Sequence, residues 1–514
     1  MRRPRPSGAA PVPAGAGVQW ILSVSPATLP GLGGQAEAAA FDYFRRYTSM
    51  KMPGLFESYF WESLVLQTST HEPAILHAVT AMGAAHRNDE RLSLQQYNKA
   101  ISFLRPHLES RAKDAFRVAL ITCMVFVSLE LLRGNFEISN NHLRNGLILL
   151  REFQAREGLT PTDGPVVLRP DPSVLDDHVI EAFTRLNIQS ALFGQGSSFV
   201  IYVGDATQEP LTYTISSRFD TLREARQRLD GLLNGVYTLE SEARKLADQQ
   251  KPVPDGLFRR RLHLQEALAE WLPAFDLGSA AMEARATFRT ALAVPLLRLY
   301  HTMTKIMAGT CLRGTDEAVY DNYAADFEVI LNYAVELFNR ATTDLIVPAF
   351  AHGEHIPESH FTVDMGFIPP LYYVGLKSRS ANIRRRALEI LFQAPHREGF
   401  WDGVFAARLV REIIQMEEGE RYDDDPIELV WKPGTLHVPS PPRSKASDVY
   451  ALAHARVNEV TVALPSEVGR KAVLTCKRFR IAEGAWETIT RRLDLEFDAP
   501  RPHPWRTCAQ NLYV

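Results

Sequence analysis

Residues 115–132 carry apolar side chains nearly all round a helical projection, and the run Ala119–Leu132 is broken only by Thr122, Ser128 and Glu130. A helix without a polar face must be surrounded, so this segment is expected at the centre of the N-terminal half. At 14 residues the run falls short of the roughly 20 that cross a bilayer, which favours a core helix over a membrane span. Segments of helical period flank it. Phe41, Phe44 and Tyr47 recur at three-residue steps and Pro53-Gly54 stops them, while Thr70-His71-Glu72-Pro73 starts a helix whose stripe is Ile75, Val79 and Met82. Tyr97, Ile101, Leu104 and Leu108 share one face, and after Gly134-Asn135 the series Leu143, Leu147 and Leu150 forms another.

The same period governs most of the remaining chain. Residues 157–175, with four prolines and two glycines, read as a surface loop. Helices are expected at 176–193, 219–248, 257–272, 280–307, 316–340, 366–378, 381–393 and 400–418, joined by short breaks that imply antiparallel neighbours. No repeat of fixed period occurs. After Glu420 the character changes: Asp423-Asp424-Asp425-Pro426 and Pro439–Pro442 form a polar connection, and Val457–Leu464 with Lys471–Arg480 read as a hairpin. The expected fold is mainly α, an irregular multi-helix antiparallel stack with a small C-terminal strand-containing appendage. Its divisions are a Pro/Gly/Ala-rich flexible leader (1–36), an N-terminal helical subdomain (37–156), a loop (157–175), a C-terminal helical subdomain (176–420), and a linker with a small α/β appendage (421–514). Arg2, Arg3 and Arg5 precede any acid, but the short apolar stretch Val18–Leu22 between prolines favours a leader over a targeting signal.

Chemistry-bearing motifs are sparse. The formal net charge of −3 supplies no global field for nucleic acid, so DNA contact would need a local basic module. The cysteines Cys123, Cys311, Cys476 and Cys508 form no short-spaced pair, which argues against structural zinc and for a reducing compartment. A histidine-rich loop at 351–360 offers the only metal-like set, with His352, His355, His360 and Asp364 as candidates beside Glu354. Its spacing is not H-E-x-x-H and its glycine and proline place it on a loop, so an exposed connector is the favoured reading. Gly194-Gln195-Gly196-Ser197-Ser198 does not meet G-x-S-x-G, and no glycine-rich phosphate motif is present. The basic runs Arg259–Arg261 and Arg384–Arg386 each spread over about 200° of a helix and are read as solvated faces. No set of nucleophile, base and orienter assembles, so catalysis is not expected.

Two segments carry a family resemblance. Residues 361–402, including Gly366-Phe-Ile-Pro-Pro-Leu-Tyr372, Lys377-Ser-Arg379, Ile383-Arg-Arg-Arg-Ala387 and Pro395-His-Arg-Glu-Gly-Phe-Trp-Asp402, form the first. The second is Glu72–His86 with Leu129–Asn135, and Asn187–Gly194 and Phe219–Arg226 add to it. In this order, over about 40 to 420, the chain resembles the fungal-specific transcription factor domain of the binuclear zinc-cluster (six-cysteine) family. The departures are Ser378 where the family has cysteine, His396 where it has arginine, and the lack of a six-cysteine module among these residues. The resemblance implies an all-helical regulatory domain working in the nucleus, with a metabolic or secondary-metabolite gene set as its target. The expected partners are other transcription regulators or a second copy, as homo- or heterodimer, with no membrane. DNA would be reached indirectly or through a missing module, since no DNA-binding residue is recognisable. No cofactor is expected in this chain, zinc being implied only with an upstream cysteine cluster. The rival readings are a scaffold or inhibitor that pairs with a related regulator, and a metal-dependent pathway enzyme using 352–364. Local physics assigns Tyr372, Leu376, Ile383, Leu388 and Leu391 to helix packing, Arg397 and Glu398 to an ion pair with each other, and Trp401 to the start of a buried helix.

Overall fold

The computed structural model describes residues 31–110, 112–161, 164–168, 175–194, 201–203, 213–285, 287, 291–341, 360–394, 396–419, 430–432, 435–437, 455–464 and 471–494. The chain is mainly α and divides into two compact units, one of 1–53 with 58–129 and the other of 54–57 with 130–514. The division falls inside a helix rather than at the proline-rich stretch 157–175.

The first unit contains α1 (Gln35–Tyr43), continued by a wider turn at Phe44–Thr48, then α2 (Val65–Ser69), α3 (Pro73–His86), α4 (Glu90–Glu109) and most of α5 (Lys113–Arg133). Proline opens α3 at its first position, where the missing N–H has no intrahelical partner to lose. Nearly every residue of α3 is buried. It lies so close to α1 that a Cβ at Gly83 would collide with the Ala40 carbonyl oxygen, which is backbone and cannot rotate away. Gly83→Ala is therefore expected to destabilise by about 1–3 kcal/mol, read from chemical unfolding, although alanine is the better helix former.

The face of α4 differs from the expected one. Ser93, Gln96, Ala100 and Leu104 are inside, while Ile101 is 38% and Leu108 60% exposed. A polar chain sets the rotation: Gln96 Oε1 lies 2.7 Å from His77 Nδ1, and Gln96 Nε2 donates to Glu37 Oε1 at 2.8 Å. The apolar residues then flank the contact rather than fill it.

At 21 residues, α5 is longer than the apolar run suggests and is apolar enough by composition to cross a membrane. Length does not exclude a span; burial argues for the core, because 83% of its apolar window is already inside the protein. Gly134 ends it at φ +81°.

The second unit carries α6 (Phe136–Arg156), α7 (Leu175–Leu192), α8 (Leu222–Asp248), α9 (Asp255–Arg285), α10 (Ala293–Thr310), α11 (Ala324–Ala341), α12 (Ile368–Lys377), α13 (Ala381–Gln393) and α14 (Gly403–Glu418). Consecutive helices pack on one another, as α8 on α9 and α12 on α13. Leu143, Leu147 and Leu150 are buried, as their spacing requires. The break expected between 272 and 280 is absent: α9 runs through Pro273 to Arg285, and α10 begins at Ala293. Trp271 and Phe275 are both fully buried with rings 4.7 Å apart, and this packing holds the helix together across the proline.

Small strands complete the unit. β1 (Val166–Leu168), within the expected loop, pairs in parallel with β2 (Ile201–Val203), and Gln154 meets Val167 through both amide arms at 2.6 and 2.9 Å. β3 (His360–Thr362), β4 (His396–Glu398) and β5 (Trp401–Asp402) form a second sheet, and β6 (Val430–Lys432) with β7 (Thr435–His437) a third. The expected C-terminal hairpin is present as β8 (Glu459–Ala463) and β9 (Lys471–Arg480), joined by an additional strand β10 (Ala485–Asp494) in the order β10-β9-β8.

Candidate functional site

The second unit is organised by charges folded inward. On α7, His178, Glu181 and Arg185 recur at steps of three and four, so they share a face; on α8, Arg223, Arg226, Gln227 and Asp230 do the same. Between them enters Asp364 from the segment after β3. Arg226 grips Asp364 through both guanidinium arms, at 2.6 and 2.5 Å, and its guanidinium sits 3.7 Å from the centre of the Phe56 ring. Arg185 bonds to Glu181, which also accepts from Arg223 at 2.9 Å and from Gln227 at 3.1 Å. Arg185, Arg226, Glu181, Asp230 and Asp364 are all buried.

Burial alone would push the Asp364 carboxyl up, but Arg226 and Arg185 outweigh it and hold it below the usual range. Asp230 fares differently. Its oxygens are 3.6 Å from Arg185 and 3.8 Å from Arg226, beyond hydrogen-bond reach, and burial pushes it up to about 6 against their attraction. A carboxyl raised in the folded state contributes most to stability below its unfolded value and loses that contribution as pH rises through about 6. Asp230→Asn, which mimics the neutral form, is expected to stabilise the protein by about 1–3 kcal/mol at pH 7.5 and much less at pH 5. Unfolding curves at the two pH values check this.

A second buried frame lies where α12, α13 and α14 meet the C-terminal sheet. Arg384 and Arg456 are both fully buried and both reach Glu417 Oε2, at 2.5 and 2.7 Å. Arg384 Nε also donates to the Gly375 carbonyl at 3.0 Å, Arg456 to those of Leu376 and Lys377, and Glu417 Oε1 accepts from Val457 N at 2.8 Å. The solvated-face reading of Arg384–Arg386 is thus wrong for Arg384, and Arg386 is buried too, on Glu328 at 2.7 Å. Helix α13 is sandwiched and has no free face for a basic triplet. Beside this frame, Lys377 donates to the Asn458 carbonyl at 3.0 Å and sits 3.6 Å from Glu317, which Arg313 also binds. Burial pulls the Lys377 ammonium down to about 8 against Glu317. The other run behaves as expected in part: Arg259 is exposed, while Arg260 and Arg261 are half-buried and Arg260 meets Glu242.

Arg397 and Glu398 do not pair with each other. Adjacent residues on a strand point to opposite faces. Arg397 donates to the carbonyls of Leu131 and Leu132 at the end of α5, at 2.5 and 2.9 Å. Glu398 accepts from the N–H groups of Gly366 and Ile368 at the start of α12, and its other oxygen lies 2.6 Å from His396 Nε2. The packing roles of Tyr372, Leu376, Ile383, Leu388 and Leu391 hold, since all are buried; Trp401 is buried too, but in strand β5 ahead of α14 rather than at the start of the helix.

Of the metal candidates, His352 and His355, with Glu354, lie outside the described residues. His360 is placed by its backbone in β3, opposite His396 of β4, and Asp364 is engaged by Arg226. Among the described residues no group of three or more His, Cys, Asp or Glu could hold a metal ion. Cys311 and Cys476 are buried, which pushes each thiol up to about 12; Cys508 and Gln195–Ser198 lie outside the described residues. The carboxylates of both frames face cations, a geometry suited to fixing helices rather than moving protons.

The profile of the fungal specific transcription factor domain matches residues 40–361. The chain belongs to that family. Among the relatives is the transcription regulator lscL of Purpureocillium lilacinum, 25% identical over 273 residues, or 47% of this chain and 62% of that protein. Another is the aspercryptin biosynthesis cluster-specific transcription regulator atnN of Emericella nidulans (strain FGSC A4), 22% identical over 437 residues and 69% of each chain. The chain thus spans somewhat more than half the length of the first of these relatives. No solved structure matches it. Within the family domain, α7 and α8 supply the first ionic frame, and Asp364, just past the matched stretch, closes it.

Proposed function

We propose that this chain is the helical regulatory domain of a fungal transcription regulator that works in the nucleus and controls a secondary-metabolite gene set. The observation that carries the reading is the family match over residues 40–361. Its finer part is supported by the relative named for the aspercryptin cluster. In this reading the domain acts on other regulators or on a second copy of itself, performs no catalysis and uses no metal or cofactor of its own. Contact with base edges falls to a separate module, because these residues offer no short-spaced cysteines to fold a zinc cluster, and the arginines of both frames are held by carboxylates rather than presented to phosphates.

Deleting the gene and comparing transcripts under conditions where it is expressed tests the reading. The expected result is a change in a neighbouring set of biosynthetic genes, restored when the gene is returned, with a fluorescent fusion of the chain concentrated in nuclei. An unchanged transcript profile would overturn it.

A further inference from the structure

β10 is an edge strand of unusual length and exposure. All ten of its residues pair in register with β9, from Ala485 opposite Arg480 to Asp494 opposite Lys471. Among the described residues no strand lies on its other side. Alternate residues of such a strand turn N–H and C=O groups outward, a ready template for another strand. β10 has no proline and no bulge to blunt that edge. Trp486 is 48% exposed, and Arg491 and Arg492 are exposed and make no ion pair among the described residues. Among the described residues Glu487 holds Arg478 and Arg480 through one oxygen, Oε2.

The sequence of β10 is complementary to itself when it runs antiparallel. With a two-fold axis at Ile489, Glu487 faces Arg491 of the second copy and Arg491 faces its Glu487. On the other face Trp486 meets Arg492 in both directions, a cation–π pair, and Thr488 meets Thr490. Ile489 meets its own copy on the axis, and Ala485 meets Leu493. A slip by one residue would move each partner to the opposite face and break every one of these pairs.

We propose that two copies of this chain associate through β10, antiparallel about Ile489, to form one continuous sheet of three strands from each copy. The surface specifies the self-pairing contained in the functional reading above. It is tested by mass in solution, so it can fail while the transcriptional reading stands, and the reverse.

Sedimentation velocity of the full chain over a range of concentrations is the test. The expected result is a concentration-dependent dimer that weakens at least tenfold in Arg491→Glu, which sets glutamate against Glu487 twice across the axis. Arg491→Lys should keep the dimer. Since residue 491 is on the surface, circular dichroism and the melting midpoint should match the parent protein in both variants. A second substitution, Arg492→Glu, should weaken the dimer by loss of the Trp486 contact. A chain that stays monomeric at all concentrations, or a dimer indifferent to both Arg→Glu substitutions, would overturn the proposal. So would a dimer that forms only after residues 495–514 are removed, since that segment would then be the occupant of the edge.

Discussion

Glu417→Ala is expected to cost about 3–5 kcal/mol of stability, because removing one partner of a buried ion group strands its counter-charges. Here a single carboxylate holds two guanidiniums, Arg384 and Arg456, each with no exposed surface. It also accepts the Val457 N–H, so alanine would leave three buried polar groups short of a partner. The loss should spread to the C-terminal sheet, since Arg456 and Val457 lead directly into β8. Arg259→Ala, in the exposed basic run on α9, should change stability by no more than about 0.5 kcal/mol. Denaturant unfolding of the two variants, followed by circular dichroism, makes the comparison.

Asp364→Ala is expected to be of similar size, again about 3–5 kcal/mol, for a different geometry. It deprives Arg226 of its two-armed acceptor and leaves it with Asp230, which it does not reach by a hydrogen bond, while Arg185 keeps its bond to Glu181. Replacing both partners, as in Arg226→Met with Asp364→Leu, should recover more than half of the loss. Methionine can keep the contact with the Phe56 ring, and the pair leaves together with its desolvation penalty. Equal loss in the single and double variants would mean that Asp364 stabilises the fold through its bond to Met365 N rather than through Arg226.

The helical frame was legible because the apolar period is strong. The series of α3, α5 and α6 and the packing residues of α12 and α13 point inward as their spacing requires. The candidate site was not legible. Arg226, Asp230 and Arg384 look like surface charges in a linear reading, since a charge is usually solvated and only its partner in space says otherwise. The partners lie far off in sequence: Asp364 is 138 residues from Arg226, and Glu417 is 39 from Arg456. Asp364 did stand out, but only as a metal candidate beside histidines, in a segment read as an exposed connector. Its true neighbour is an arginine on a distant helix. The rotation of α4 was missed because glutamine at 96 reads as a surface residue until His77 and Glu37 are placed beside it. β10 was missed because polar residues on both faces hide the alternation that marks a half-buried strand.

Tethering asks whether this domain regulates transcription. The full chain is fused to a heterologous DNA-binding module and placed on a reporter promoter in a filamentous fungus. The expected result is a several-fold change in reporter output, upward or downward, that is lost in Glu417→Ala as the domain unfolds. Output equal to that of the DNA-binding module alone, with the fusion present in nuclei at normal abundance, would contradict it.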